Sequence, residues 1–376
     1  MIYFDNAATT KAFPEVVRIM EEAMQVIYGN PSAKHIKGME AENLIKEAQD
    51  VIAKSLKAKP GEIFFTSGGT ESNNTAIIGT AMKNHRRGKH IITSRIEHAS
   101  VYEPMRFLEE QGFEVTYLDV DKKGYLRLDE LEEAIRPDTT LVSLMFVNNE
   151  IGTVQPVKEA GEIIKKKNPE TVFHVDAIQA YGKMPITPKN MKIDLLSMSG
   201  HKIHGPKGVG FLYVREGTKI QPLIYGGGQQ KGMRSGTENV PGIAGLGCAC
   251  RLMIGEQYEN ADKIRKIKEY FQERIQEIDD IIDNSGEAPH IASISFKGLR
   301  SEVLLHALEE REIYVSSGSA CSSNKKQPVS GTLNAIGLPD EYKDGTLRFS
   351  FSLENTKEEV DETIDCLLYT SPSPRD

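Results

Sequence analysis

The sequence predicts an α/β fold: a large domain with a mainly parallel sheet of the seven-stranded type covered by helices, followed by a smaller α+β domain. Three observations carry this reading. Seven short apolar runs lie between residues 62 and 215. Several of them are separated by stretches with helical periodicity, and that interleaving argues for a mainly parallel sheet covered on both faces. After a charged, helical stretch at 255–285 the pattern changes to a shorter mixture of strands and helices.

Taken in order, "EIFFT" precedes the helical "ESNNTAIIGTAMKNH", and "KHIITS" precedes "ASVYEPMRFLEEQ". "FEVTYLDV" leads to "LDELEEAI", and "TLVSLMFV" leads to "VKEAGEIIKKK". "TVFHVDA", "DLLSMS" and "VGFLYVR" complete the strand set. The smaller unit consists of "HIASISF", the helical "SEVLLHALEERE", "LRFSFS" and the helical "TKEEVDETID", and the N-terminal segment is a candidate to join it. The expected boundaries are 15–255 for the large domain and 1–14 with 256–368 for the small one. Residues 369–376, within "YTSPSPRD", hold two prolines and no apolar face, so they read as a disordered or non-native end.

Composition limits the function classes. The chain has 376 residues, 27% charged and 39% hydrophobic, as in globular domains. A net charge of -8 argues against a broad nucleic-acid footprint. No apolar run approaches the length of a membrane span, and "MIYFDNAATT" lacks the apolar core of a signal peptide. Cys248, Cys250, Cys321 and Cys366 have no zinc-ligand spacing and are too few for a disulfide framework, so no metal site is expected and the cytoplasm is the expected compartment.

The candidate chemistry starts at "SMSGHKIHGPKGVG", Ser197–Gly210, where Lys202 sits between His201 and His204 with apolar strands on either side. "GPKG" does not make a phosphate-binding P-loop, since no Ser or Thr follows Lys207 and the glycine spacing is wrong. A surface lysine in a glycine turn is the bland alternative. A partly desolvated lysine has a lowered pKa and works as an amine nucleophile, above all in a Schiff base with pyridoxal phosphate. That cofactor requires an anion cradle, a carboxylate for its pyridinium nitrogen and a donor for its ring oxygen. "FFTSGGTESNN" offers the cradle: a strand ends, two glycines turn the chain, and Thr70 opens a helix whose dipole favours phosphate. "FHVDAIQA" offers Asp176 at a strand end and Gln179 just beyond it. Taken singly, each stretch is also readable as an ordinary helix cap or strand-end aspartate.

Together with "YFDNAATT", "YGNPSA", "IEHASV", "NNEIGTVQP", "GGGQQKGMRSGTENV" and "SSGSACSS", these motifs give a chain that resembles the pyridoxal-phosphate-dependent cysteine desulfurases, fold-type I enzymes of aminotransferase class V. The resemblance runs in order from Ile2 to about residue 365. It implies that Lys202 is the Schiff-base residue, that Asp176 pairs with the ring nitrogen, and that Gln179 and Asn149 contact the ring oxygen or the substrate. It puts His98 on the ring face and Gly69, Thr70, Ser199 and His201 around the phosphate. Thr237 would reach the phosphate of a partner subunit, which implies a homodimer. Arg348 would bind the substrate carboxylate, a task suited to a planar guanidinium. Cys321, in a segment of small polar residues that reads as a mobile loop, would take sulfur from L-cysteine as a persulfide, leaving L-alanine. The sulfur would pass to an acceptor protein, an iron–sulfur scaffold or a tRNA-thiolation enzyme, with no direct nucleic-acid or membrane partner. Cys248, Cys250 and Cys366 read as packing residues. A selenocysteine lyase, a cystathionine-type lyase and a catalytically idle scaffold are the competing readings. The cysteine loop argues against the cystathionine-type lyase, and the intact lysine, aspartate and cysteine set argues against the scaffold.

Overall fold

The computed structural model describes residues 1–317 and 331–370; Cys321 lies outside them. Along the chain, β1 (Ile2–Tyr3), α1 (Pro14–Gln25) and α2 (Ile36–Leu56) precede the first sheet strand. Then come β2 (Ile63–Thr66), α3 (Gly69–Asn84), β3 (His90–Ser94), α4 (Ala99–Glu110), β4 (Glu114–Leu118), α5 (Leu128–Ala134) and β5 (Thr139–Met145). After these follow α6 (Val157–Lys167), β6 (Val172–Asp176), β7 (Leu195–Ser199), β8 (Gly210–Val214), α7 (Val240–Gly255) and α8 (Gln257–Arg274). The remainder is β9 (Ile281–Asp283), β10 (Ile291–Phe296), α9 (Ser301–Glu309), β11 (Ile313–Tyr314), β12 (Ser316–Ser317), α10 (Gly331–Ala335), α11 (Asp340–Lys343), β13 (Thr346–Ser350) and α12 (Lys357–Thr370).

The large sheet has seven strands in the order β2-β8-β7-β6-β5-β3-β4, as expected from the seven apolar runs. β4, β3, β5, β6 and β7 pair in parallel, whereas β8 is antiparallel to both β7 and β2. Successive residues of the strands point to opposite faces, and both faces are apolar. Ile91, Leu141, Val172, Leu195 and Leu212 pack with Ile77 of α3 and Met105 of α4. Their neighbours Ile92, Val142, Phe173, Leu196 and Phe211 pack on the other side with residues of α1, α2, α6 and α7. This is why the runs are apolar without a break. A second sheet, β12-β13-β10-β9, is antiparallel and packs with α8, α9 and α12 into a separate core around Phe271, Phe349 and Phe351. β1 pairs with β11, and Ile2 and Phe4 belong to that second core.

Two local expectations need correction. The charged stretch 255–285 is not helical throughout: it ends in a short 3-10 turn at Ile275–Glu277 and the strand β9, which pairs with β10. There Ile281 and Ile282 pack against apolar neighbours, and a strand partner outweighs local helix propensity. At the other end α12 continues through Tyr369 and Thr370, into the stretch that reads from sequence as unable to prolong a helix. Its prolines come later, at 372 and 374, so the backbone donors of Tyr369 and Thr370 remain available. Cys248 and Cys250 are buried on α7 and Cys366 is half-buried with Sγ 3.8 Å from the Ala307 carbonyl, as expected of packing residues.

Two features of the core generate tests. α7 approaches α2 so closely at Gly247 that an added Cβ would lie 2.7 Å from Ala48 Cβ and 2.9 Å from its Cα. Gly255, the last residue of the same helix, has open space. We expect Gly247→Val to lower the unfolding free energy by about 1–3 kcal/mol in urea titrations, while Gly255→Ala leaves it unchanged or slightly raised. The second feature is Lys183, which is 6% exposed and donates from Nζ to the Lys202 carbonyl at 2.9 Å. Burial, with the neighbouring Lys202 charge, pushes its ammonium down to about 7. Between about 7 and 10.5 the unfolded chain binds a proton at this lysine that the folded chain does not. Stability from this group therefore rises with pH across that window and is flat below it. Unfolding measured from pH 7 to pH 9.5 should lose that part of the slope in Lys183→Met, and an unchanged difference between variant and parent across the series would contradict it.

Candidate active site

The large sheet opens a cavity at the carboxyl ends of its parallel strands. β3, β5, β6 and β7 point one way, and β2 shares their direction because β8 is antiparallel to both of its neighbours. In such sheets the loops at that edge form the ligand crevice. The cavity measures about 330 Å³ and is lined by residues from the ends of these strands, from the N-terminal segment and from the small sheet.

Lys202 enters it on a single 3-10 turn, Gly200–Lys202, directly after β7. Gly200 donates to the Val209 carbonyl at 3.0 Å, which closes the turn against the start of β8. The half-buried ammonium donates to the carbonyls of Ala7 and Ala8, each at 2.6 Å. Those two charge-assisted bonds offset the cost of withdrawing the ammonium from water.

Asp176 is the last residue of β6 and is 5% exposed. One carboxylate oxygen accepts from the Ile178 backbone N–H at 3.0 Å and the other from Asn73 Nδ2 at 2.9 Å. Burial pushes its pKa up; the two donors and the nearby His98 and Lys202 pull the other way. Asn73 Nδ2 also donates to Ser100 Oγ at 2.9 Å. Ser100 Oγ lies 2.8 Å from His98 Nδ1, which accepts from the Ser100 backbone N–H at 3.1 Å. His98 caps α4 through this bond, as a side-chain acceptor at a helix N-terminus does. Burial keeps the ring below the ordinary imidazole range. A neutral ring that accepts at Nδ1 carries its proton on Nε2. Asp176 and His98 are thus linked through Asn73 and Ser100.

Gly69 and Thr70 form the first turn of α3 beside Ser199 and His201. Gly68, just before the helix, has φ of 145°, a conformation side chains rarely adopt, so glycine is required at that bend. His201 Nδ1 lies 3.1 Å from Thr9 Oγ1, and burial, together with the Lys202 and Lys207 charges, pushes its pKa down to about 4. The cradle at neutral pH is therefore made of backbone N–H groups, hydroxyls and an uncharged imidazole. Gln179 is buried and donates to the Ala7 carbonyl at 2.9 Å. Arg348, 5% exposed in the middle of β13, reaches the cavity from the small sheet. It donates from Nη1 to the Asn149 carbonyl at 2.8 Å and from Nη2 to Asp5 Oδ1 at 3.1 Å.

The structure thus brings together Gly69, Thr70, His98, Asn149, Asp176, Gln179, Ser199, His201, Lys202 and Arg348. Thr237 is exposed and lies outside this cavity, and Cys321 falls outside the described residues. Sequence reasoning missed Asp5, Asn73 and Ser100. All three stand inside the motifs "YFDNAATT", "TSGGTESNN" and "IEHASV", but their role is to hold other side chains, which pattern alone does not reveal.

These residues fit pyridoxal phosphate. The donor set at Gly69, Thr70 and Ser199 suits a phosphate. A buried carboxylate at Asp176, held by two N–H donors and unpaired with any Lys or Arg among the described residues, suits a pyridinium nitrogen. Lys202 stands at the cavity wall to meet a carbonyl carbon.

Comparison with known proteins agrees. Residues 2–363 match the family described as Aminotransferase class-V. "Cysteine desulfurase IscS" of Dictyoglomus turgidum is 45% identical over 370 residues, spanning 97% of this chain and 93% of that protein. The protein of the same name from Methanosarcina thermophila is 47% identical over 367 residues, spanning 97% and 90%. Among solved structures, a "NIFS-LIKE PROTEIN" superposes with a TM-score of 0.92 at 40% identity over 97% of both chains. The structure titled "SspA in complex with cysteine" gives 0.84 at 39% identity, covering 95% of this chain and all of the other. With family, relatives, fold and cavity in agreement, this chain belongs to the class-V aminotransferases, among the pyridoxal-phosphate-dependent cysteine desulfurases.

Proposed function

We propose that the chain is a cysteine desulfurase that converts L-cysteine to L-alanine and leaves the sulfur as a persulfide on Cys321. The single observation that carries this is the cavity in which Lys202, Asp176, His98 and Arg348 converge from two sheets. Pyridoxal phosphate, when bound, supplies an electron sink for carbanion chemistry. Lys202 is the residue to hold it, Asp176 to keep its ring nitrogen protonated, and Gln179 to donate to its ring oxygen. Arg348 takes the substrate carboxylate, with Asn149 beside it. His98, with its proton on Nε2, serves as a proton donor and acceptor in the cavity. The Cys321 thiolate attacks the substrate sulfur: the carbon–sulfur bond breaks, a sulfur–sulfur bond forms, and a proton takes the place of sulfur on carbon. Cysteine carbon is reduced as thiol sulfur is oxidised, so no outside oxidant is needed. The described ends of the segment holding Cys321 support this assignment. Ser316 lines the cavity, and Thr332 bonds to Asn148 and Glu150, the neighbours of Asn149.

On the same reading the enzyme is a cytoplasmic homodimer of subunits with a large domain, 15–255, and a small one, 1–14 with 256–368. Exposed apolar side chains on α1 and α2 (Val17, Met24, Ile36 and Met39) support a partner surface, and the exposed Thr237 supports a phosphate contact across it. Among the described residues no helix is long and apolar enough to cross a membrane. The sulfur acceptor is a protein of iron–sulfur assembly or tRNA thiolation.

Two experiments test the reading. The parent protein, given L-cysteine briefly, should gain one sulfur on the peptide that contains Cys321. Cys321→Ser should bind cofactor but release alanine only at background rate. Extra sulfur on Cys248, Cys250 or Cys366, or normal turnover by the serine variant, would refute the assignment. Asp5 holds the Arg348 guanidinium in place, so Asp5→Ala should raise KM for L-cysteine about tenfold while kcat changes little. A normal KM would show that Arg348 needs no such anchor.

A further inference from the structure

Gln179 is a buried amide, and an amide presents a donor at one end and an acceptor at the other. Which end faces the cavity decides whether it can donate to a ligand. His290 settles that question from the other sheet. It lies just before β10, is 0% exposed, and accepts on its backbone carbonyl from the Phe351 N–H at 2.9 Å. Its Nε2 is 3.0 Å from Gln179 Oε1. Its Nδ1 is buried and has no partner among the described residues. Lys183, Lys202, Lys268 and Arg348 surround the ring, and burial together with these cations holds it neutral.

A neutral imidazole carries one N–H. If the proton were on Nδ1, a buried donor would be orphaned. Nε2 would then demand a donor from Gln179, turning Oε1 of the amide against the Ala7 carbonyl. Two acceptors would face each other, and a buried N–H would go unpaired, the costlier kind of orphan. With the proton on Nε2, only an acceptor is unpaired. The bonds then run in one direction: His290 Nε2 donates to Gln179 Oε1, and Gln179 Nε2 donates to the Ala7 carbonyl at 2.9 Å, which also accepts from Lys202 Nζ at 2.6 Å. The second N–H of Gln179 is left for the cavity it lines.

We infer that His290 is a positioning residue that fixes the Gln179 amide with its N–H toward the cofactor, so that the small sheet sets a hydrogen bond made by the large one. The inference rests on the reading that Gln179 faces the cofactor's ring oxygen. Nothing in the composition around His290 marks it, because the partner is 111 residues away in sequence.

The test uses the holoenzyme and the pH midpoint of the bound cofactor's absorbance. An N–H aimed at the ring oxygen favours its deprotonated form, so losing that donor raises the midpoint. His290→Met, which keeps the bulk and removes the donor, should raise it by about one pH unit. His290→Gln, whose amide nitrogen falls where Nε2 stood, should restore the parent midpoint. In a Gln179→Ala background, His290→Met should add nothing. A midpoint unmoved in His290→Met while Gln179→Ala shifts it would overturn the inference and leave the reading of Gln179 standing. A midpoint unmoved in Gln179→Ala would overturn both. Equal shifts in His290→Met and His290→Gln would also overturn it, since bulk rather than the donor would then be the cause.

Discussion

A carboxylate buried at the end of β6 is the constraint on which the site depends. Asp176 faces the cavity at the carboxyl edge of the sheet, where burial disfavours its charge. To remain an anion it requires donors, and the fold supplies them from two directions: the backbone turn at Ile178 and the first turns of α3 through Asn73. That second donor has consequences. Asn73 spends its other Nδ2 hydrogen on Ser100, and Ser100 in turn faces His98. The residue that stabilises the carboxylate therefore also shapes the hydrogen bonding of the imidazole across the cavity. Neither α3 nor α4 could shift along the sheet without disturbing both groups.

The N-terminal segment from Asp5 to Thr10 performs the corresponding task for the cations. It runs between the two sheets with its carbonyls toward Lys202 and its hydrogen-bonding groups shared on both sides. Ala7 donates from its backbone to Ser350 Oγ of β13 at 2.8 Å, while its carbonyl accepts from Lys202 and Gln179 of the large domain. Thr10 donates to the His201 carbonyl from both its backbone and its hydroxyl, at 2.9 and 2.8 Å. Ala7 is 1% exposed and lines the cavity. Asp5 completes the pattern by holding Arg348. A segment with almost no regular structure thus sets the positions of two cationic side chains on different sheets.

The layered fold was legible in the sequence because its cause is local. Strands such as Thr139–Met145 are apolar on both faces and separated by helices with one apolar stripe, and the resulting sheet follows. Lys202, Asp176 and the Gly69–Thr70 turn were legible because each stands where a strand ends, a position sequence can mark. β9 was not, since three residues that pair with β10 carry no local signal of their own. The positioning residues were hidden for a related reason. Asn73 meets Asp176 across 103 positions and Arg348 meets Asp5 across 343, and only the folded chain brings them together. His290 is hidden in the same way: a histidine in "APHIASISF" looks like the start of a strand, and its bond to Gln179 spans 111 positions.

The charges around the cavity fall into two groups, each with one cation and one anion. Asp176 ends β6 and Lys202 follows the neighbouring β7 of the large sheet, and Arg348 and Asp5 lie toward the small one. The histidines add no charge: burial lowers the pKa of His98, His201 and His290 alike. On the proposed roles, a phosphate is then left to the dipole of α3 and to neutral donors, while the guanidinium is kept for the substrate carboxylate. Had His201 been charged, the cradle and Arg348 would compete for the same anions. Neutral imidazoles lessen that competition, because His201 then adds no charge of its own beside the α3 N-terminus, and the guanidinium of Arg348 remains the fixed cation on the small-sheet side. Orientation of an amino acid in this site thus follows from which groups burial has discharged as much as from which remain ionised.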